Sequence, residues 1–185
     1  MMDNNPKKPT TDDQGEAPLN RLHPLRKEND ANRYISFSLG SEEYAIPLLD
    51  VREVIAVPET TPVPFTPPHF LGIMNLRGQV ISVIDLRIKL GIKPTPSTET
   101  AVIICDIGST HLGVLVDSIN SVISPQDDQL SGKPEIESQK STEYISAIYK
   151  KSERLVLIIN LRKALSTEDR KAIQSASPVA PRKTA

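Results

Sequence analysis

The segment from Gly72 to Gly91 restricts the fold more than any other part of the chain. Val80, Ile81, Val83, Ile84 and Leu86 follow one another with only Ser82 and Asp85 between them. A run this apolar and β-branched suits a strand covered on most of both faces, and it is the candidate central strand. Just before it, Asn75, Leu76, Arg77 and Gly78 set a glycine beside a lone basic residue. That predicts a sharp turn projecting the guanidinium from a rigid corner. Asp85, inside the apolar run, needs a partner if buried. Arg87 or a turn amide would serve, so its expected role is structural.

The rest of the chain repeats strand patterns. Ile35, Phe37 and Leu39 alternate with Ser36, Ser38 and Gly40, and Tyr44 and Ile46 resume the alternation after Gly40 and Ser41. Two such runs joined by Gly-Ser predict a hairpin with a two-residue primed turn. Ala101 to Ile107, Gly108 with Ser109, and His111 to Val116 follow the same logic. Ser118 to Ser124, Tyr144 to Tyr149 and Arg154 to Leu161 supply further apolar stretches, and 125–142 is polar with a bend at Gly132, Lys133 and Pro134. Leu48, Val51 and Ile55 lie at helical spacing, with Asp50 and Glu53 off that face, which predicts a short amphipathic helix over Leu48 to Val57. Val57 to Pro68 holds Pro58, Pro62, Pro64, Pro67 and Pro68 and should be extended and stiff. Leu161, Ala164 and Leu165 predict a closing helix to about Ile173, with Thr167, Glu168 and Asp169 exposed. About eight strands without alternating long helices exclude doubly wound and TIM-type folds and favour a closed β architecture that hides its edges.

Residues 1–31 carry Pro6, Pro9, Pro18 and Pro24 among polar residues and are expected to be a flexible tail, as are 174–185 at the other end, leaving 32–173 as the folded domain. Leu19, Leu22 and Leu25 have helical spacing, but Pro24 opposes a helix there. With 4% aromatics and no Trp the core must be aliphatic. The formal charge of -1 recruits neither nucleic acid nor an anionic membrane. There is no secretory signal and no apolar run of the ~20 residues that cross a bilayer, so a soluble cytoplasmic protein is expected. Cys105 sits in an apolar run, reads as a small buried hydrophobe, and as a single cysteine can form no disulfide within the chain.

Catalytic patterns are scarce. His23, His69 and His111 show no ligand spacing, and each reads as a surface or turn histidine. There is no phosphate-binding glycine loop and no nucleophile elbow, and Asp127 with Asp128 is a solvated pair. No metal or cofactor is called for. What remains is a binding surface, in which Val51 and Val54 flank Glu53 while Arg77 supplies a complementary charge. Taken singly, Glu53 and Arg77 are ordinary surface charges. A barrel whose groove holds an apolar metabolite stays open as a second class of function.

Read together, these segments resemble the CheW coupling proteins of bacterial chemotaxis. The resemblance rests on Asn75 to Gly78 followed by Asp85 to Arg87, on Glu42 to Tyr44 leading to Val51 to Val54, on Gly113 to Asp117, and on Ser141 to Tyr144 leading to Leu155 to Asn160, in that order across 32–173. It implies a mostly β fold of two intertwined five-stranded SH3-like barrels with short helices. It also implies a non-enzymatic adaptor that links the cytoplasmic tips of methyl-accepting chemoreceptors to the histidine kinase CheA, whose regulatory domain shares the fold. By that resemblance Val51, Glu53, Val54, Gly72, Asn75, Arg77 and Gly78 fall in the region of receptor and kinase contacts, and receptors dock in a groove between barrels. The long tail and the proline-laden loop depart from the core pattern and leave a pilus-motility pathway open beside flagellar chemotaxis. With the sequence stopping soon after the barrels, the longer CheV type, which adds a receiver domain, is not expected.

Overall fold

The computed structural model describes residues 32–94, 97–132 and 143–176. Both expected tails, apart from 174–176, lie outside the described residues, as do His23, the leucines at 19, 22 and 25, Lys133 and Pro134 of the expected bend, and Ser141 with Thr142. The described residues form eleven strands: β1 (Tyr34–Leu39), β2 (Glu42–Pro47), β3 (Val51–Ala56), β4 (Phe70–Leu76), β5 (Gln79–Asp85), β6 (Ala101–Ile107), β7 (Thr110–Val116), β8 (Ser118–Ile123), β9 (Leu130–Ser131), β10 (Ile145–Lys151) and β11 (Arg154–Ile159). Three helices accompany them: α1 (Leu86–Lys89), α2 (Leu161–Ala164) and α3 (Thr167–Ala176).

The strands make two sheets, ordered β8-β1-β2-β11-β10-β9 and β3-β6-β7-β5-β4. The chain enters the first sheet, builds the whole second sheet from β3 to β7, then returns to complete the first. The two SH3-like barrels are intertwined in this sense, and the first carries the two-residue β9 as a sixth member. Most pairings are antiparallel, while β2 with β11 and β5 with β7 are parallel. Those parallel pairs join segments distant in sequence, which hairpin logic alone could not assign. The run from Val80 is strand β5, paired on both sides, although the middle of its sheet is taken by β7.

Three apolar clusters follow from this topology. One gathers Ala45, Ile123, Val156 and Ile158 inside the first barrel, and a second gathers Met74, Ile81, Val83, Val102, Ile104 and Leu115 inside the other. The largest spans the seam, where Phe37, Leu39 and Ile46 of one sheet meet Ile84, Ile103, Leu112 and Val114 of the other, with Leu161, Leu165 and Ile173 closing over them. Cys105 is buried in that seam, where burial pushes its thiol well above the ordinary range. It packs as the small hydrophobe expected.

Three expectations need correction. Leu48 to Val57 is not a helix: a single 3-10 turn, Leu48–Asp50, leads directly into β3. Val51, Val54 and Ile55 are β-branched, and pairing along β6 from Val51 opposite Cys105 to Ala56 opposite Ala101 overrides their helical spacing. The closing helix is broken at Leu165 and Ser166 into α2 and α3. Asp169, expected to be exposed, is buried, because His69 and Lys89 close on its carboxylate while Ser166 and Asp169 form a reciprocal cap. The Ser166 amide donates to Asp169 Oδ2 at 2.7 Å, and the Asp169 amide donates to Ser166 Oγ at 3.2 Å.

Candidate partner-docking site

The β4–β5 hairpin closes through Arg77 and Gly78, whose φ values of 52° and 86° make a primed two-residue turn. Asn75 holds it, its Oδ1 accepting from the Gly78 amide at 2.8 Å. From this corner Arg77 reaches Glu53 on β3, with Nη1 3.0 Å from Oε1 and Nη2 2.8 Å from Oε2. Because β3 and β4 are opposite edges of their sheet, this two-pronged ion pair clasps the open side of the second barrel. The Arg77 side chain remains 76% exposed and that of Glu53 24%.

A bulge shapes the other side of the clasp. Val51 opposes Cys105 and Glu53 opposes Ile104, so Arg52 is the extra residue of β3 and is turned outward. Its Nη1 contacts His111 Nε2, while His111 Nδ1 lies 2.7 Å from Asp106 Oδ1. A neutral imidazole donating from Nδ1 to Asp106 and accepting from Arg52 at Nε2 satisfies all three groups. Arg52, Glu53, Leu76, Arg77, Ile81 and His111 line a cleft of about 190 Å³.

The sequence-chosen residues thus separate. Glu53, Asn75, Arg77 and Gly78 come together at the clasp. Val51 leans inward against the seam core, whereas Val54 faces out and is exposed. Gly72 lies in β4 at φ 131°, and a Cβ there would stand 2.2 Å from the carbonyl oxygen of Thr61, so its hydrogen atom makes room for the preceding loop. Arg52, Asp106 and His111 were missed. Strand alternation in β3 would have turned Arg52 outward, but their meeting depends on strand pairing that no local pattern shows.

A second arginine site lies where the barrels join. Asp85 ends β5 and caps α1, its Oδ1 accepting from the Arg87 amide and Nε, both at 2.9 Å, while Oδ2 accepts from Arg87 Nη2 at 2.7 Å. The structural role and the Arg87 partner expected for Asp85 are both present. The sequence reading missed Asp117, whose Oδ1 accepts from Arg87 Nη1 at 2.6 Å and whose Oδ2 accepts from the Gly40 amide at 2.7 Å. Gly40 belongs to the β1–β2 turn, so one guanidinium ties the second barrel to the first. Hydrogen bonding to Asp85 raises the Arg87 pKa above its ordinary value, against the opposing effect of burial, and Asp117 adds to the rise.

His69 is a turn histidine, as one of its two expected readings had it, but its side chain is only 12% exposed, with Nε2 2.7 Å from Asp169 Oδ1. Lys89 donates to the other Asp169 oxygen. Burial works to raise the Asp169 pKa, but the Lys89 hydrogen bond and the Ser166 amide outweigh it and hold the carboxyl below its ordinary range.

Twin SH3-like barrels around a shared core, with an ion-pair clasp presented to solvent, define a scaffold of the CheW-like class. The chain belongs to the CheW family of chemotaxis scaffold proteins, since the family model described as a CheW-like domain matches residues 33–169. It is 32% identical over 154 residues to the chemotaxis protein CheW of Klebsiella aerogenes, covering 83% of this chain and 93% of that one. To the chemotaxis protein CheW of Bacillus subtilis it is 33% identical over 147 residues, covering 79% and 92%. The crystal structure of the scaffolding protein TtCheW from Thermoanaerobacter tengcongensis superposes with a TM-score of 0.67 at 28% identity, over 75% of this chain and 95% of that one.

Proposed function

We propose that this chain is a non-enzymatic adaptor that couples the cytoplasmic tips of methyl-accepting chemoreceptors to the regulatory domain of CheA, working in the cytoplasm at membrane-associated receptor arrays. The observation that carries the reading, beside family membership, is the clasp. An exposed ion pair adds little to stability, yet this one is fixed by a primed turn, an Asn75 bond and two-pronged geometry. Rigid charge that the fold does not need is suited to recognition. The adjoining cleft, about 190 Å³, is smaller than the ~300–1,000 Å³ that small ligands fill. A partner's side chain suits it better than a metabolite. Among the described residues no helix is long and apolar enough to cross a membrane. Arrival at the membrane therefore runs through the receptors in this reading.

Co-sedimentation with receptor-bearing membranes, with and without CheA, tests the proposal. The purified chain should pellet with the receptors and bring CheA down with it. A chain left in the supernatant in both conditions defeats the reading.

A further inference from the structure

Arg52, Asp106 and His111 form a titratable group beside the clasp that the coupling reading leaves unused. The turn at Gly108 and Ser109 sets Asp106 on β6 directly opposite His111 on β7, so the two side chains meet as a cross-strand pair. The bulge in β3 brings Arg52 to the other side of the imidazole. His111 Nδ1 lies 2.7 Å from Asp106 Oδ1, and Nε2 faces Arg52 Nη1. Among the described residues His111 is the side-chain hydrogen-bond partner of the exposed Arg52, since the adjacent Glu53 is taken by Arg77.

This arrangement suits one protonation state. The neutral ring donates from Nδ1 and accepts at Nε2, but a proton taken up from water at Nε2 turns that acceptor into a donor. Donor then faces donor and cation faces cation on the Arg52 side, while the bond to Asp106 becomes charge-assisted and is kept. Arg52, exposed and on a long stem, is then free to swing over the cleft it already lines. The other charges nearby do not cancel the change. Glu53 and Arg77 line the same cleft and pair with each other, and β5 contributes only Gln79 and Ile81 to it. Of the remaining elements packed on β7, β1 has no charged residue, and α1 spends Arg87 and Lys89 on Asp85, Asp117 and Asp169.

We propose that Arg52, Asp106 and His111 are a proton-operated switch: protonation of His111 frees Arg52 and adds positive charge to the cleft beside Arg77, so that docking there strengthens in acid. Imidazole is the side chain whose charge changes within the physiological range of pH. The effect on docking rests on the coupling reading, and its sign on an acidic partner group meeting Arg77. The release of Arg52 rests on neither.

Two measurements on the full chain test the switch. In the first, NMR of the His111 ring and Arg52 guanidinium nitrogens follows the free protein from about pH 8 to about pH 5. At the alkaline end the ring should carry its proton on Nδ1, and the Arg52 signal should move with the same midpoint as His111. Arg52→Gln should shift that midpoint upward, because it removes a cation that opposes protonation, and Asp106→Asn should shift it downward. A ring protonated on Nε2 at the alkaline end, or an Arg52 signal indifferent to the titration, overturns the switch. In the second, binding to CheA and to receptor-bearing membranes is compared for wild type and His111→Gln at about pH 8 and about pH 6. The partners titrate too, so the readout is wild type relative to the mutant, which should gain about threefold in affinity on acidification. Equal pH profiles for the two proteins, or a relative weakening of wild type in acid, overturn the effect on docking. Wild type that binds neither partner at either pH overturns the coupling reading and that effect with it, while the NMR titration still decides the release of Arg52.

Discussion

Two arginines of this chain each grip a carboxylate with two prongs, and they do opposite work. Arg87 has a side chain 9% exposed, sits between Asp85 and Asp117, and joins elements of both barrels. Arg77 grips Glu53 in nearly the same geometry but stays open to water. At the buried site every charge has lost its hydration and depends on the others, so the group is architecture. At the exposed site water would replace either partner at small cost, so a fixed arrangement there is available for something outside the chain. By burial, the same chemistry is committed to cohesion at Arg87 and left available to a partner at Arg77.

Removing the buried arginine is the severest way to challenge that contrast. Arg87→Leu strands two carboxylates in the seam, and breaking a buried pair from one side costs about 3–5 kcal/mol. Urea denaturation should show a loss of that size. A loss under about 1 kcal/mol would mean that the seam relaxes to admit water.

At the clasp the effects should fall on binding instead. Arg77→Glu sets like charges opposite Glu53, and its stability should stay within about 1 kcal/mol of wild type, while receptor and kinase assembly weakens. Normal array formation or kinase stimulation by that mutant would remove the clasp from the docking surface. The reversed pair, Glu53→Arg with Arg77→Glu, sharpens the comparison. It should recover the stability of wild type but not its binding, because in the proposed docking a partner meets the sign of the exposed charge at position 77. Recovery of both would reduce the clasp to a brace for the barrel.

The legible parts of this molecule were local. The alternation of Ile35, Phe37 and Leu39, the Gly40–Ser41 and Arg77–Gly78 turns, and the apolar run of β5 each reveal themselves within a few residues. Where two patterns competed, the sequence misled. Leu48, Val51 and Ile55 fit a helix, and only the presence of β6 alongside decides for a strand. Contacts made across the fold had no local sign: Asp117 lies 30 residues from Arg87 and Asp169 lies 100 from His69. Even so, Ser166 and Asp169 stand at capping-box spacing, a signal that could have marked Asp169 as a helix-start residue. The clasp was legible as two charges of opposite sign, but not as a link between the edges of one sheet.

Asp169 tests the contrast at its weakest point, because it is a buried carboxylate in a smaller group, gathered from α1, α3 and the turn before β4. Its pKa is held below the ordinary 3.8, so the unfolded chain binds its proton more readily than the folded one. The stabilisation is therefore complete above the unfolded value and is lost as pH falls through the lower folded value. In Lys89→Met the burial that works to raise the carboxyl loses its main opponent, and His69 and Ser166 remain as partners. Acid unfolding of that mutant should begin at a higher pH than in wild type, with a smaller difference near neutrality than the loss expected for Arg87→Leu. Coincident acid limbs would show that Ser166 and His69 hold the carboxylate unaided, and that a buried charge needs a cation only when it lies, as at Arg87, between two barrels.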